Sequence, residues 1–183
     1  MAWEVRTPSI SVSAPGLCLP DFAPRFDLGT TFCARSATAS TSSVHAGQFL
    51  VERPDFVRTL AEKAAAGVTI RIAFGNPDFP ATELRSAEER LGDGVLAARI
   101  RCGLAAYTPL VDTPGIEFRY HATTLYNSIF HFDEQMIVNT HVYGVPGAHA
   151  PALHLRKLGA GDLFATYAKS FTDVWALSKP AAW

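Results

Sequence analysis

The chain has 183 residues, 48% of them hydrophobic and 18% charged, enough for one substantial core and the balance of an ordinary globular protein. A formal net charge of −1 and a pI near 6.6 leave no concentrated cationic face of the kind that neutralises several phosphates, so direct nucleic-acid binding by this chain is not expected. Cys18, Cys33 and Cys102 are odd in number and far apart, with no CxxC pair and no zinc-finger histidines, and read as reduced packing residues.

No run of about 18 apolar residues is present to span a membrane. The N-terminus also lacks the basic-then-apolar order of a signal peptide, so the expected compartment is the cytoplasm.

In chain order, residues 1–45 stand apart. "TPSISVSAPGLCLPDFAP" and "ARSATASTSS" are rich in Pro, Ser, Thr, Ala and Gly, which predicts an irregular N-terminal segment with at most short strands. The main domain is expected over 46–183. Phe56, Val57, Leu60, Ala61, Ala64 and Ala65 fall at helical spacing and Gly67 follows as a terminating glycine, predicting a helix over 55–66. "VTIRIAF" is then a strand that breaks at Gly75-Asn76-Pro77, and a helix feeding a strand through one glycine is half of an α/β crossover. Residues 80–106 read as helical with an interruption at "LGDG".

"IEFRYHATT" alternates Ile116, Phe118 and Tyr120 against Glu117, Arg119 and His121, as a strand does. A hairpin over 129–142 follows, turning at Asp133-Glu134-Gln135. After the loop "YGVPGAHAP" come a short strand "ALHLRKL" and a helix over 162–176, with Asp162 placed to cap its first turn. This order predicts an α/β fold, a mixed sheet of about five to seven strands flanked by helices, with the hairpin central.

The hairpin carries polar residues on a period of two. Tyr126 and Ser128 alternate on one strand, Asn139 and His141 on its neighbour, so each pair shares a face and the four are expected to line one cavity at a sheet edge. His121, two residues after Arg119, is expected nearby, while His131 should face solvent. The candidate ligand-binding set is therefore Arg119, His121, Tyr126, Ser128, Asn139 and His141. The histidines lack metal-ligand spacing, and no Walker-type or GxGxxG glycine loop occurs, so neither a metal nor another cofactor is expected.

"AEKAAAGVTIRIAFGNPD", "TTLYNSIFHFDEQMIVNTHVYG", "HAPALHLRKL" and "GDLFATYAKSFTDVW" together resemble the C-terminal domain found behind helix-turn-helix modules in actinobacterial transcriptional regulators. The likeness covers 51–175, and the first 45 residues do not resemble a helix-turn-helix. More distantly, the same region resembles one half of the phospholipase D fold. That family's signature is His-x-Lys, four residues, Asp, six residues and a small pair. With Asp133 on the signature aspartate, Tyr126 falls on the histidine, Ser128 on the lysine and Thr140-His141 on the small pair.

The resemblance implies that this spacing survives without its chemistry. The family's histidine is a nucleophile and its lysine holds phosphate charge; a tyrosine with a reference pKa near 10 and a neutral serine replace neither. A single copy is also half of a paired site. The expected function is thus a catalytically silent regulatory domain associated with transcription, binding a small molecule or protein and forming a homodimer. The alternative is a hydrolase rebuilt around His121, His141 and Asp133. The two readings divide on turnover of a phosphodiester.

Overall fold

The computed structural model describes residues 33–47, 54–158 and 162–183. Most of the segment expected to be irregular, Cys18, and the capping role of the Asp162 side chain lie outside the described residues.

Seven strands form one sheet: β1 (Ala39–Val44), β2 (Thr69–Gly75), β3 (Ile116–His121), β4 (Asn127–Phe132), β5 (Gln135–Thr140), β6 (Ala152–Arg156) and β7 (Lys179–Pro180), in the order β6-β5-β4-β1-β2-β3-β7. β1, β2 and β3 are parallel to one another and every other pairing is antiparallel, so the sheet is mixed as expected. The helices are α1 (Pro54–Ala65), α2 (Pro80–Glu88), α3 (Val95–Tyr107) and α4 (Asp162–Leu177).

Strand alternation sorts the core into two layers. Ile70, Ile72 and Phe74 of β2 join Phe56, Leu60 and Ala64 of α1 and Leu96, Ile100 and Tyr107 of α3 on one face. Ala73, between them in sequence, belongs to the other face with Ile129, Met136 and Val138 under Phe164, Phe171 and Trp175 of α4. Each fully buried large side chain in these layers contributes about 1.5–3 kcal/mol. The sheet is thus covered on both sides.

Two details differ from the sequence reading. The helical stretch expected over 80–106 is two helices: Gly92 and Gly94 both take positive φ (101° and 69°), a turn that "LGDG" supplies and that no L-residue with a bulky side chain adopts cheaply. The hairpin does lie inside the sheet, but the central strand is β1, from the segment expected to be irregular. "ASTSSV" has no apolar alternation, yet Ser40, Ser42 and Ser43 are buried. Its neighbours β2 and β4 supply the bulk on both sides, and small side chains let helices sit close above the middle of the sheet. The cost is visible in Thr41 Oγ1 and Ser43 Oγ, which are buried without a partner.

Candidate functional site

Because β1, β2 and β3 run the same way and β4 runs against them, their ends gather at one edge: the C-terminal ends of β1, β2, β3 and β5 and the start of β4. Open α/β sheets bind ligands at such carboxyl ends. Three histidines meet there. His45 follows β1, His121 ends β3 and His141 follows β5, with ring centroids of His45 at 5.7 Å from His121 and 5.5 Å from His141.

Local sequence explains each position. Gly75 ends β2 beside His45, donates its N–H to the His45 carbonyl at 3.0 Å, and leaves room for the ring: a Cβ there would stand 3.3 Å from His45 Nδ1. Asn76 then turns the chain away, its N–H on the His121 carbonyl (2.9 Å) and its side-chain oxygen accepting from Asp78 N (2.9 Å). Pro80 opens α2, which crosses this edge and brings Arg85 to the site. Across the hairpin, the His141 N–H donates to the Tyr126 carbonyl (2.9 Å), placing the two residues opposite one another.

The ring partners fix protons. A carbonyl only accepts, so His141 Nδ1–H donates to Leu125 O at 3.0 Å, and the bare Nε2 of the neutral ring accepts the Ser128 hydroxyl at 3.1 Å. His121 Nε2–H donates to Val44 O at 3.0 Å.

Burial holds all three rings neutral. His45 is pushed down to about 3 by burial and then by His121, His141 and the Arg85 charge; the Leu125 carbonyl pulls weakly the other way without hydrogen-bond geometry. His141 falls to about 4, again chiefly through burial, with Leu125 opposing and Arg85 assisting. Burial also lowers His121, against the carbonyls of Val44 and Thr123.

A cavity of about 220 Å³ opens over this cluster, lined by residues that include His45, Arg85, Glu88, Tyr126, His141 and Tyr143. Arg85 is only 8% exposed; its Nε donates to Glu89 at 2.6 Å, its Nη1 lies 3.8 Å from Glu88, and its Nη2 has no partner. Both His45 ring nitrogens are likewise buried and unpartnered.

The six candidate residues divide. Tyr126 and His141 line the cavity, Ser128 holds His141, and His121 stands behind His45. Arg119 is engaged elsewhere: its guanidinium stacks 4.3 Å above the Trp175 ring of α4 and donates to the Trp175 carbonyl and Glu117, each at 3.3 Å. Asn139 donates to the Gly147 carbonyl at 3.0 Å and so secures the β5–β6 loop. Their period places them on the expected strands, but nearby partners claim their polar groups.

His131 is half-buried rather than free in solvent: it bonds the Asp133 carbonyl at 2.8 Å and meets Phe164 edge-on at 5.2 Å. Asp133 sits at the hairpin turn, with φ of 51°, and accepts the N–H groups of Ala37, Thr38 and Ala39 at 2.6–3.1 Å. Burial acts to raise its carboxyl, and these donors outweigh it and hold it below the usual carboxylate range. Asp133 is therefore a tether for β1 at the end of the hairpin away from the histidines, and the His121, His141 and Asp133 trio of the alternative reading is not assembled.

Sequence reasoning missed His45 and Arg85. His45 follows a strand without apolar signal. Arg85 lies in a helix read only for its interruption, and Thr82, Arg85 and Ser86 make a buried polar face where a surface helix ordinarily buries an apolar one. Among the described residues, no cluster of histidine, cysteine, aspartate or glutamate fits a metal ion, and no helix is long and apolar enough to cross a membrane.

No family model matches the sequence, and no curated protein does. Solved structures do. The chain is similar to Nuc, a phospholipase D family member from Salmonella typhimurium, with a TM-score of 0.53 and 13% identity over 85% of this chain and 90% of that one. It is also similar to TrmBL2, an archaeal chromatin protein with a novel mode of DNA binding, with a TM-score of 0.56 and 8% identity over 86% of this chain and 51% of that one, about half of its length. At these identities the likeness is one of fold. The chain has a phospholipase D-like α/β fold, a mixed seven-stranded sheet flanked by helices.

Proposed function

We propose that this chain is a catalytically silent phospholipase D-like regulatory domain, which binds a small molecule or a protein at the histidine edge of its sheet and serves transcriptional control from the cytoplasm. One observation carries the silence. The hydroxyl at the signature lysine position, Ser128, and the imidazole in the signature small pair, His141, hydrogen-bond to each other at 3.1 Å. Groups that would meet a phosphate have become each other's partners.

The nucleophile position holds Tyr126, 79% exposed, and the His45 ring nitrogens are buried. An attacking imidazole needs an accessible bare nitrogen. Charge points the same way: Arg85 is matched by Glu89 and Glu88, and three neutral rings add no cation for a phosphodiester. In this reading Tyr126 and His141 touch the ligand, Ser128 and His121 position the rings, and Arg119 and Asn139 stabilise the surrounding strands.

Association as a homodimer belongs to the same proposal. A single half of a two-half fold keeps a self-complementary surface beside the hairpin, which a second copy would cover. The near-neutral net charge favours action through a partner over direct DNA contact.

One observation favours a hydrolase instead: the Ser128–His141 pair has the polarity of a nucleophile and its base. Against it stand the lowered basicity of His141 and a backbone carbonyl, not a carboxylate, behind its ring. The experiment is turnover of bis-p-nitrophenyl phosphate at pH 7 together with sedimentation. The expected result is no turnover above buffer and a species of twice 19.8 kDa. Turnover that disappears in His141→Ala, from a monomer, would replace this reading with the hydrolase.

A further inference from the structure

The groups that the edge cavity leaves open to solvent are aromatic, apolar and acidic. Tyr126 and Tyr143 both line it, 79% and 80% exposed, as does Leu84 at 58%. Local sequence brings the two tyrosines together with α2. The Tyr126 carbonyl accepts the His141 N–H at 2.9 Å across the hairpin, and Tyr143 follows two residues later. Gly144 then turns with φ of 72° beside the end of α2, where a Cβ would stand 4.0 Å from the Glu88 carbonyl.

The accessible charge is negative. Among the described residues that line the cavity Arg85 is the one cation, and it is closed off, paired with Glu89 at 2.6 Å with the two side chains only 9% and 10% exposed. Glu88 also lines the cavity, its side chain 31% exposed and 3.8 Å from Arg85 Nη1, longer than a hydrogen bond, so its carboxylate keeps the capacity to meet a cation. His45 and His141 are neutral and add no positive charge.

We infer that the cavity binds a small quaternary ammonium compound, its cation against the Tyr126 and Tyr143 rings and facing the Glu88 carboxylate, its methyl groups toward Leu84 and Ala81. The negative face of a tyrosine ring attracts a cation that comes within about 6 Å of its centroid. A primary ammonium brings three N–H donors that each need an acceptor, whereas a quaternary one needs only ring faces, alkyl contact and negative charge. At about 220 Å³ the space is below the roughly 300–1,000 Å³ of drug-sized pockets, which limits the ligand to a compound of a few carbon atoms. The inference rests on the proposal that this edge is a binding site and adds the ligand class.

Choline tests it against its uncharged isostere, the alcohol in which a tert-butyl group replaces trimethylammonium, with ethanolamine as a third arm. Titrations into the full chain at constant ionic strength are followed by amide NMR shifts. Choline should saturate and move the signals around Glu88, Tyr126 and Tyr143, with the neutral alcohol and ethanolamine each about fivefold weaker or more. Tyr143→Leu, at an exposed position, keeps apolar bulk and removes the ring face, and should weaken choline about two- to fivefold. Glu88→Gln should weaken choline by a similar factor and leave the alcohol unchanged.

Neutral alcohol binding as tight as choline, or undiminished choline binding in either variant, overturns the cation site while leaving a binding edge. Ethanolamine as tight as choline overturns the quaternary class. Absence of any saturable choline shift overturns the inference, and a persisting absence of phosphodiester turnover then still supports the silent domain.

Discussion

The two ends of the β4–β5 hairpin are built on opposite terms. At the turn, Asp133 takes a left-handed conformation and its carboxylate collects three backbone N–H groups from the approach to β1. Donors and acceptors are matched there, and the result is rigid joinery between hairpin and central strand. At the open end, the His45 ring stands 5.7 Å from that of His121 and 5.5 Å from that of His141, all three held neutral, with His45 and Arg85 keeping atoms unpaired. The same signature spacing spans both ends. Asp133 serves structure at one end, while Tyr126 and Ser128 stand at the other where the phospholipase D signature has its histidine and lysine.

Acid should separate the ends most strongly. His45 and His141 have folded values of about 3 and 4 against about 6.5 when unfolded, so only the unfolded chain takes up their protons as pH falls below 6.5. Each histidine then removes about 1.4 kcal/mol of stability per pH unit, down to its folded value, and His121 acts in the same direction. Urea midpoints should fall steadily from pH 7 to pH 5, and His45→Leu should lose one ring's share of that slope. Asp133 acts in a different window: its lowered carboxyl stabilises the fold above 3.8 and loses that contribution only as pH drops through its folded value. A flat midpoint between pH 7 and pH 5 would mean that the rings are not held neutral by burial.

Next in size is the turn itself. Asp133→Ala removes the acceptor of three N–H groups and is expected to cost about 2–3 kcal/mol by chemical denaturation, an amount moderated by partial solvent exposure. The NMR signals of His141 should stay in place. If they move with those of Ala39, the two ends are not independent.

A smaller effect is expected at Gly75, where an added Cβ presses on His45 Nδ1 and the His45 carbonyl at 3.3 Å and on Ile100 at 3.4 Å. Gly75→Ala should cost about 1–2 kcal/mol and shift the His45 ring signals. A silent substitution would show that the ring has room to move. Smallest of all, Tyr126→Phe keeps an exposed ring and should change stability by less than about 0.5 kcal/mol. Its effect belongs to ligand affinity, and a large stability loss would recast Tyr126 as part of the fold.

The strands and helices with clear periodicity were legible in the sequence: "VTIRIAF", "IEFRYH" and the hairpin lie where their alternation puts them. β1 was not, because a central strand between two bulky neighbours needs small residues, and Ser-Thr-Ser-Ser carries no apolar alternation. The site was half legible for the same reason. Period two puts Tyr126, Ser128 and His141 at one end of the hairpin, where Tyr126 and His141 line the cavity and Ser128 bonds His141, since register is local to a hairpin. It could not foresee Trp175 capturing Arg119 from 56 residues away, nor His45 arriving from β1 and Arg85 from α2. Those are tertiary encounters, and a polar side chain goes to whichever partner the fold brings nearest.

The most direct test of the central claim, that the histidine edge binds without attacking, is intact-mass spectrometry of the protein after incubation with a labelled phosphodiester at pH 7 and rapid quenching. The account predicts an unmodified mass, because the nucleophile position is Tyr126, Ser128 and His141 occupy each other, and the His45 nitrogens are buried. A phosphoryl adduct that maps to a histidine and vanishes in His121→Ala or His141→Ala would contradict it.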